Sequence, residues 1–336
     1  MSLLAPAEIC LVDHLTANDI DLPPVRLVDV GCSGGIYPAW RRWRDRLSAL
    51  GIDVITDEVE RLSQGETNPN VHYIAARAGR NAPAEKTERF CSTTYALHRS
   101  QAYFATALLR AKSRPDSEEF FRAFWRTIVR KPNPPFEANY SNVTDPSADP
   151  FFAYYLERFG AKRDPVLATR VADVDALAAE AGLDGVDVLK IDTDGYDFDV
   201  LCGATRTLSS CVAVEIEVQF QGPVSDDANV FCNIDRLLRK EGFSLFKLAP
   251  VHYARSALPR PFLYDIPANN VAGPLAWGDA LYVRDVGVAP NDATTKDKLR
   301  SLALVLDIYG LEDAAAEILL SHPDLFGPSA RALDCC

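Results

Sequence analysis

The chain has 336 residues, of which 48% are hydrophobic and 24% are charged, so it can bury a sizeable core and differs in composition from disordered, collagen-like and coiled-coil proteins. Its 47 acidic residues outnumber its 35 Lys and Arg residues, and the net charge of −12 disfavours nucleic acids and anionic membranes as partners. No apolar run approaches the roughly 18 residues of a membrane span, and the first residues lack a signal-peptide pattern, so we expect a cytoplasmic location.

The first part of the chain alternates between strand and helix patterns. Residues 1–24 carry a short helical pattern that ends at Pro23-Pro24. The patterns that follow predict a buried strand, a helix, a strand, a helix and a strand, at Val25–Val30, Tyr37–Leu50, Ile52–Ile55, Asp57–Leu62 and Val71–Ala75. This order predicts right-handed βαβ crossovers and a parallel sheet.

Residues 91–166 interrupt this alternation. They contain two helical stretches, 100–112 and 117–129, and a polar, Pro-rich passage from 131 to 150. The segment is also rich in aromatic residues. Their rings either form the core of a helical insert or belong to a lid that shapes a substrate pocket, as long insertions in α/β enzymes often do.

The alternation returns after the insert. The patterns predict strands at 186–191, 211–220, 243–248 and 280–283, a helix that ends near Ser209 and another at 231–240. In the strand 211–220 the apolar residues alternate with polar ones, so Glu215 and Glu217 share one face. Residues 286–336 predict a helical extension, with a helix pair broken at Gly310, and its apolar character is compatible with a homodimer.

The first candidate site is the glycine-rich turn at residues 29–35, Asp-Val-Gly-Cys-Ser-Gly-Gly, between a buried strand and the next helix. Open α/β sheets bind nucleotide-like ligands at this position, and glycines let a ligand approach the backbone. The pyrophosphate-binding pattern Gly-x-Gly-x-x-Gly is not met, and Asp29 would repel a phosphate. An acid at this position suits a ligand that carries a positive charge.

A second acid, Asp53, lies 22 residues beyond Gly31, about where an acidic side chain meets a ribose diol in such folds, and Asp57 is the alternative. The pattern fits a cationic adenosine ligand without phosphate, namely S-adenosyl-L-methionine. A generic tight turn with a helix cap is the other interpretation. The predicted cofactor-binding residues are Asp29, Gly31, Cys32, Ser33, Gly35 and Asp53.

The segment Leu189–Ala204 reads Leu-Lys-Ile-Asp-Thr-Asp-Gly-Tyr-Asp-Phe-Asp-Val-Leu-Cys-Gly-Ala and resembles the signature of the FkbM-type S-adenosylmethionine-dependent methyltransferase family. Three further segments are similar to that family in the same order, at residues 29–35, 214–218 and 277–284. The turn departs from the family pattern because Cys32-Ser33 replaces the usual Ala-Asn. The resemblance runs from about residue 25 to residue 285, and the insert matches only loosely.

This resemblance implies an α/β protein with a Rossmann-like methyltransferase fold. Its sheet is expected to be mostly parallel and seven-stranded, with an antiparallel last strand. The implied methyltransferase domain covers 25–285 and carries the helical insert, and the C-terminal helical extension follows it. The implied reaction moves the methyl group of S-adenosyl-L-methionine to an acceptor, usually a hydroxyl oxygen of a sugar, a polyketide or a related small molecule.

Four residues are candidates for catalysis. Asp192, at the end of a predicted central strand, is the first choice and Asp194 the second, although an acid there can also cap the next helix. His98 precedes the first helical stretch of the insert and is a candidate base because histidine titrates near neutral pH. Glu217 is either a base or the ion-pair partner that Lys190 needs inside its apolar strand.

The chain offers no metal-site pattern, because its His, Cys and carboxylate residues lack ligand spacing. We therefore expect no bound metal, and reduced thiols at the eight cysteines. Two other functions stay open. One is a nicotinamide-dependent oxidoreductase on a similar sheet, which the missing glycine pattern disfavours, and the other is a cofactor-binding or scaffold relative without catalysis.

Overall fold

The structure, a computed structural model, describes residues 3–4, 10–80, 166–193, 195–253, 269–270, 274–284 and 293–326. The chain divides into two compact units. The first consists of residues 1–82, 166–250 and 276–336 and contains the elements that position the candidate site. The second consists of residues 83–165 and 251–275, most of which lie outside the described residues. Among these are the predicted helical stretches of the insert.

The described strands form one large sheet and one small one. In chain order they are β1 (Val25–Val30), β2 (Leu47–Asp53), β3 (Val71–Ala75), β4 (Arg77–Ala78), β5 (Val171–Ala172), β6 (Val188–Ile191), β7 (Ala213–Gln219), β8 (Phe243–Tyr253), β9 (Asn269–Asn270) and β10 (Leu275–Arg284). The large sheet has the order β3-β2-β1-β6-β7-β10-β8-β9, and β4 pairs with β5 separately.

The pairing in the large sheet confirms the predicted fold class. Strands β3, β2, β1, β6 and β7 are mutually parallel, and β10 runs antiparallel to β7. The result is a mostly parallel, seven-stranded, Rossmann-like sheet whose last strand in the chain is antiparallel. The two-residue strand β9 extends it by pairing with the end of β8 at His252 and Tyr253.

The helices cover the sheet in two groups. They are α1 (Leu11–Ala17), α2 (Thr56–Gly65), α3 (Val174–Glu180), α4 (Asp197–Cys202), α5 (Thr205–Ser210), α6 (Phe231–Lys240), α7 (Ala293–Ile308) and α8 (Glu312–Ser321), with a 3-10 helix at Pro38–Arg46. The terminal face of the sheet, which includes Leu27 and Val188, packs against residues of α1, the 3-10 helix, α7 and α8. The internal face, which includes Val28 and Leu189, packs against residues of α3, α4, α5 and α6.

The predicted helix Tyr37–Leu50 is wrong. Residues 38–46 form the 3-10 helix, and residues 47–50 open the strand β2. The buried Trp40 and Trp43 lie three residues apart, a spacing that places them on one side of a 3-10 helix. Arg44 has a φ of 52°, which interrupts the helix. The apolar residues from Leu47 onward then pair with β1, and this pairing favours a strand buried on both faces.

The other described elements lie near their predicted places, but some bounds differ: the strand predicted at 52–55 ends at Asp53 as part of β2, and the strand predicted at 280–283 begins at Leu275. β1, β3 and the helix 231–240 have the predicted bounds. The helix expected to end near Ser209 is two short helices, α4 and α5, separated at Gly203-Ala204. The C-terminal pair is broken at Gly310, whose φ is 68°. Within the described ranges, no helix combines the length and apolar character needed to cross a membrane.

Candidate functional site

The glycine turn lies directly against the loop that follows β6. Gly31 has a φ of 84°, and a Cβ atom there would lie 1.8 Å from the carbonyl oxygen of Asp192. Only glycine permits this approach of two backbones. Gly34 has a φ of 91° but has open space on the side where a Cβ would stand. The structure thus brings the predicted turn and Asp192 together at the carboxyl ends of β1 and β6.

The backbone amides of the turn are largely engaged within the protein. Gly31 and Cys32 both donate to the carbonyl of Ile52, at 2.8 and 3.3 Å. Gly34 donates to Oε1 of Glu58 at 2.9 Å. A phosphate-binding turn presents such amides to its ligand. In this turn the amides instead donate to a backbone carbonyl of β2 and to the carboxylate of Glu58. This arrangement disfavours a phosphorylated dinucleotide.

The side chains of the turn differ in their access to a ligand. Cys32 is 1% exposed, and its Sγ packs against the backbone of Gly51. Burial raises the pKa of its thiol, and the nearby Asp29 and Asp53 raise it further, so the thiol stays neutral. Cys32 therefore fills space below the turn, and only its backbone borders the site. Ser33, in contrast, is exposed at the surface of the turn.

Gly35 closes the turn. Its amide donates to the carbonyl of Cys32 at 2.7 Å, and its φ is 89°. A Cβ atom there would lie 2.9 Å from Cδ2 of Leu62 in α2, so the glycine also permits close packing of the turn on that helix. Gly35 therefore shapes the turn through contacts within the protein.

Asp53 lies at the carboxyl end of β2, as its predicted role requires. Its side chain is 6% exposed, and Oδ1 accepts a hydrogen bond from the amide of Ile55 at 2.9 Å. Burial raises the pKa of the carboxyl, and the bond from Ile55 opposes this. The alternative ribose partner, Asp57, is exposed in the first turn of α2. Asp53 is the better placed of the two to face the glycine turn.

Glu58 is a site residue that the sequence analysis missed. It bridges α2 and the turn, because Oε1 accepts from Gly34 while Arg61 binds the same carboxylate at 2.6 and 2.8 Å. An acid in the first turn of a helix that follows Asp53 was the available signal. Because Arg61 offsets its charge, Glu58 serves here to hold the turn against α2.

A buried polar row crosses the terminal face one level below the turn. Asp29, Lys190 and Glu215 are register partners on β1, β6 and β7 and therefore point to the same face. Lys190 Nζ lies 3.1 Å from Oδ1 of Asp29 and 3.8 Å from Oδ2 of Asp192. The acid that pairs with Lys190 is thus Asp29 and not Glu217, the partner proposed from the sequence, because the register places Lys190 opposite Asp29 and Glu215. Asp29 is only 2% exposed, so it lies beneath the turn and contacts Lys190 there.

At the β7 end of the row, Leu3 and Tyr309 contact Glu215. Oε2 of Glu215 accepts a hydrogen bond from the hydroxyl of Tyr309 at 2.7 Å, and Oε1 accepts from the amide of Leu3 at 3.2 Å. Burial raises the pKa of Glu215, and Lys190 and Tyr309 oppose this. Lys247 Nζ donates to the carbonyls of Leu3 and Tyr309 at 3.1 and 2.9 Å, so it anchors both donors.

The next row toward the carboxyl edge contains the catalytic candidates. Asp192 has a side chain that is 44% exposed, which leaves it accessible to a ligand. Glu217 is 7% exposed and pairs in register with Asp279, which is 6% exposed. The two predicted acids Asp192 and Glu217 therefore share an edge of the sheet, but only the first is open to solvent.

The loop that carries Asp192 is held by a buried acid, Asp197. Its Oδ1 accepts from the amide and hydroxyl of Thr193 at 2.8 and 3.0 Å, and its Oδ2 accepts from the amide of Gly195 and from Nδ2 of Asn229 at 3.1 and 3.2 Å. Burial raises the pKa of Asp197 to about 6. Asp197, the third acid of the quoted segment, to which the sequence analysis gave no role, thus closes the loop.

The remaining candidates lie outside the described residues, namely Asp194 and His98. Across the part of the chain that the structure describes, no group of His, Cys, Asp and Glu residues has the arrangement of a metal site. The cysteines there are free thiols: Cys10, Cys32, Cys202, Cys211 and Cys232. The basic residues Arg41, Arg42 and Arg46 each pair with an acid, which leaves no phosphate-binding patch among them.

Comparison with known proteins adds a family match. Residues 66–245, more than half of the chain, match the family model of the methyltransferase FkbM domain. No curated protein matches the sequence. The chain is also similar to two solved structures. One is a TehB-like SAM-dependent methyltransferase from Corynebacterium glutamicum, with 9% identity over 83% of this chain and 89% of that chain and a TM-score of 0.27. The other is a Streptococcus pneumoniae protein assigned as a tRNA (m1A22) methyltransferase, with 10% identity over 93% and 96% and a TM-score of 0.29.

Proposed function

Because the chain belongs to the FkbM methyltransferase family, we propose that it transfers the methyl group of S-adenosylmethionine to a hydroxyl oxygen of a small-molecule acceptor, such as a sugar or a polyketide. The observation that carries the cofactor assignment is the glycine turn itself. Its amides are engaged within the protein and acids surround it, so it suits a cationic, phosphate-free nucleoside.

The residues present fit this cofactor. Asp53 places a buried carboxylate at the end of β2, where it can accept hydrogen bonds from ribose hydroxyls. Gly31 and Gly34 keep side chains away from the turn, and the exposed Ser33 borders it. When bound there, S-adenosylmethionine supplies an electrophilic methyl group. The chain's own contribution is to bind, orient and desolvate the partners of the transfer, for which ordering alone can supply roughly 7–11 kcal/mol.

Asp192 is the proposed proton acceptor for the hydroxyl group. It is the exposed acid of its row, and its Oδ2 lies 3.8 Å from Lys190 Nζ. The Asp197 network fixes the start of its loop. A base in this position typically contributes about 10²–10⁴-fold to rate. Glu217, buried beside Asp279, and the predicted candidates Asp194 and His98 stay secondary proposals for the same step.

The cofactor assignment is tested by calorimetric binding of S-adenosylhomocysteine. We expect binding to the wild type, a loss of at least about tenfold in Asp53→Ala, where a buried hydrogen-bonding partner is removed, and little change in the exposed control Asp57→Asn. Asp29→Ala should also weaken binding, because Lys190 loses its partner below the turn. Tighter binding of NAD than of S-adenosylhomocysteine would contradict the assignment.

The transfer itself is tested by mass spectrometry of acceptor mixtures after incubation with S-adenosylmethionine. A methylated sugar or polyketide alcohol is the expected product, and Asp192→Asn should abolish it while leaving S-adenosylhomocysteine binding intact. Cofactor binding without product from any broad acceptor panel would favour a non-catalytic relative instead.

A further inference from the structure

The charges of the polar row and of Asp192 do not balance. Three carboxylates, on Asp29, Asp192 and Glu215, lie near the ammonium group of Lys190, and the ammonium group of Lys247 reaches the two residues that donate to Glu215. Two of these carboxylates are almost completely buried. When all five groups are ionised, three negative charges exceed two positive ones at the carboxyl ends of the central strands. A buried excess charge is costly and is retained only where its surroundings stabilise it.

The surroundings of Glu215 supply that stabilisation. Tyr309 and Leu3 donate to its two oxygens, and neither donor carries a positive charge. Burial raises the pKa of Glu215, Lys190 on β6 and the two donors oppose this, and Asp279 on β10 adds to it. The two donors thus favour the charged form of Glu215 without removing its charge.

The row lies close beneath the proposed cofactor position. Asp29 precedes Gly31 by two residues, and Lys190 precedes Asp192 by two residues. Two residues of a strand span about 6.6 Å, so the row lies one side-chain level below the turn. At such distances, and with an effective dielectric constant of about 20–40, a unit charge acts appreciably on another charge in the site.

We infer that the row Asp29–Lys190–Glu215, held by Tyr309, selects for charge in the ligand above it: it favours the cationic S-adenosylmethionine over its neutral product S-adenosylhomocysteine. This inference rests on the proposed function. The two ligands differ by one methyl group and one positive charge, so a negatively charged row beneath the site stabilises S-adenosylmethionine more than S-adenosylhomocysteine. Glu215 and Tyr309 are positioning residues in this arrangement, since they act through charge and through Lys190 without touching the ligand.

The test is the ratio of the affinities for S-adenosylmethionine and S-adenosylhomocysteine, both measured by calorimetry at neutral pH. Glu215→Gln removes one negative charge with almost no change of shape. It should lower the ratio about fivefold, the scale expected of one charge roughly 10 Å away, while the affinity for S-adenosylhomocysteine stays within about twofold. Tyr309→Phe removes one donor, which favours protonation of Glu215, and should lower the ratio in the same direction by a smaller factor.

Tyr282→Phe is the matched control. Tyr282 is also a fully buried tyrosine, but its hydroxyl donates to Asp235 at 3.3 Å from the other side of the sheet. The Tyr282→Phe variant should lose about as much folding stability as Tyr309→Phe but keep the wild-type ratio of the two affinities. The comparison therefore separates an effect of charge from an effect of packing. If Glu215→Gln fails to fold, the comparison of Tyr309→Phe with Tyr282→Phe decides.

Two outcomes would overturn the inference alone. One is that Tyr309→Phe, and Glu215→Gln if it folds, both keep the wild-type ratio of the two affinities. The other is that this ratio falls as far in Tyr282→Phe as in Tyr309→Phe. Absence of binding of both ligands to the wild type is a different result. It would remove the proposed function, and this inference with it.

Discussion

The two faces of the sheet are buried to the same degree but differ in polarity. On the internal face the central positions Val28, Leu189 and Val214 are all apolar and fully covered. On the terminal face the neighbouring positions Asp29 and Lys190, with Glu215 beside them, are polar. Each of these strands therefore carries one apolar and one charged residue at successive positions; Asp29 and Glu215 are buried, and the side chain of Lys190 is 15% exposed. Burial alone does not dictate which residues a strand can carry.

What separates the two faces is the source of the compensating groups. The internal side also holds a buried acid, Asp197 at the start of α4, but three of its four donors come from its own loop within four residues, and the fourth is Asn229. The row on the terminal face is satisfied across the fold, by pairs 161, 94 and 212 residues apart in the chain. Its stability should therefore depend on charge and pH far more than that of the apolar face.

The largest expected effect comes from Lys190→Met, which breaks the row. It leaves Asp29 and Glu215 buried without their cation, and should lower the free energy of unfolding by about 4 kcal/mol at pH 7.5. Burial already raises the pKa of both acids, so both take up protons more readily in the folded state and part of the loss should be recovered at pH 5. Urea unfolding at the two pH values measures this. A loss of equal size at both would contradict it.

Leu189→Ala, the adjacent position on the apolar face, gives the contrasting result. Removing a fully buried leucine side chain leaves a cavity and should cost about 3 kcal/mol. No titrating group is involved, so the same urea experiment should give the same loss at pH 5 and pH 7.5. A pH-dependent loss here would mean that the two faces are not electrostatically distinct.

The smallest effect is expected for Asp197→Asn, and it concerns the slope of stability with pH. The folded-state pKa of Asp197 is about 6, against an ordinary 3.8. A raised pKa means that the folded state binds the proton more tightly, so the contribution is present at pH 4 and lost as pH rises through 6. At about 1.4 kcal/mol per pKa unit, the loss is about 3 kcal/mol.

Asparagine cannot titrate, so this variant should show a flatter decline between pH 4 and pH 7 than the wild type. It also places an amide group opposite the donors of Gly195 and Asn229, which should cost about 1–3 kcal/mol at low pH. Because the wild type loses about 3 kcal/mol between pH 4 and pH 7, the two proteins should differ by about 2 kcal/mol or less at pH 7. An unchanged slope would show that Asp197 does not ionise in the folded protein over this range.

Much of the fold follows from short-range patterns in the sequence. The apolar runs at β1 and β3 and the amphipathic pattern of α6 predicted their bounds, because in each the periodicity of apolar residues reports directly on burial. The prediction failed at residues 37–50. There the pattern of Trp40 and Trp43 fits either kind of helix, and only the pairing of β2 with β1 decides where the strand begins.

The candidate site was predictable in part. Gly31, Asp53 and Asp192 could be placed because each adjoins the end of a strand that the sequence reveals. The partners of Glu215 could not, since Tyr309 reaches it only when α7 packs on the terminal face. The alternation in β7 indicated that Glu215 and Glu217 share a face, but a polar face normally suggests solvent, and here both residues are buried.

The ammonium of Lys247 has a consequence for the order in which the protein folds. It joins Leu3, which precedes the first strand of the sheet, to Tyr309, which follows α7. A nascent chain can pair β1 with β2 early, but it cannot cover Glu215 until synthesis has passed residue 309. Until then the terminal face of the partly formed sheet stays in contact with water, so it is among the last surfaces to be buried.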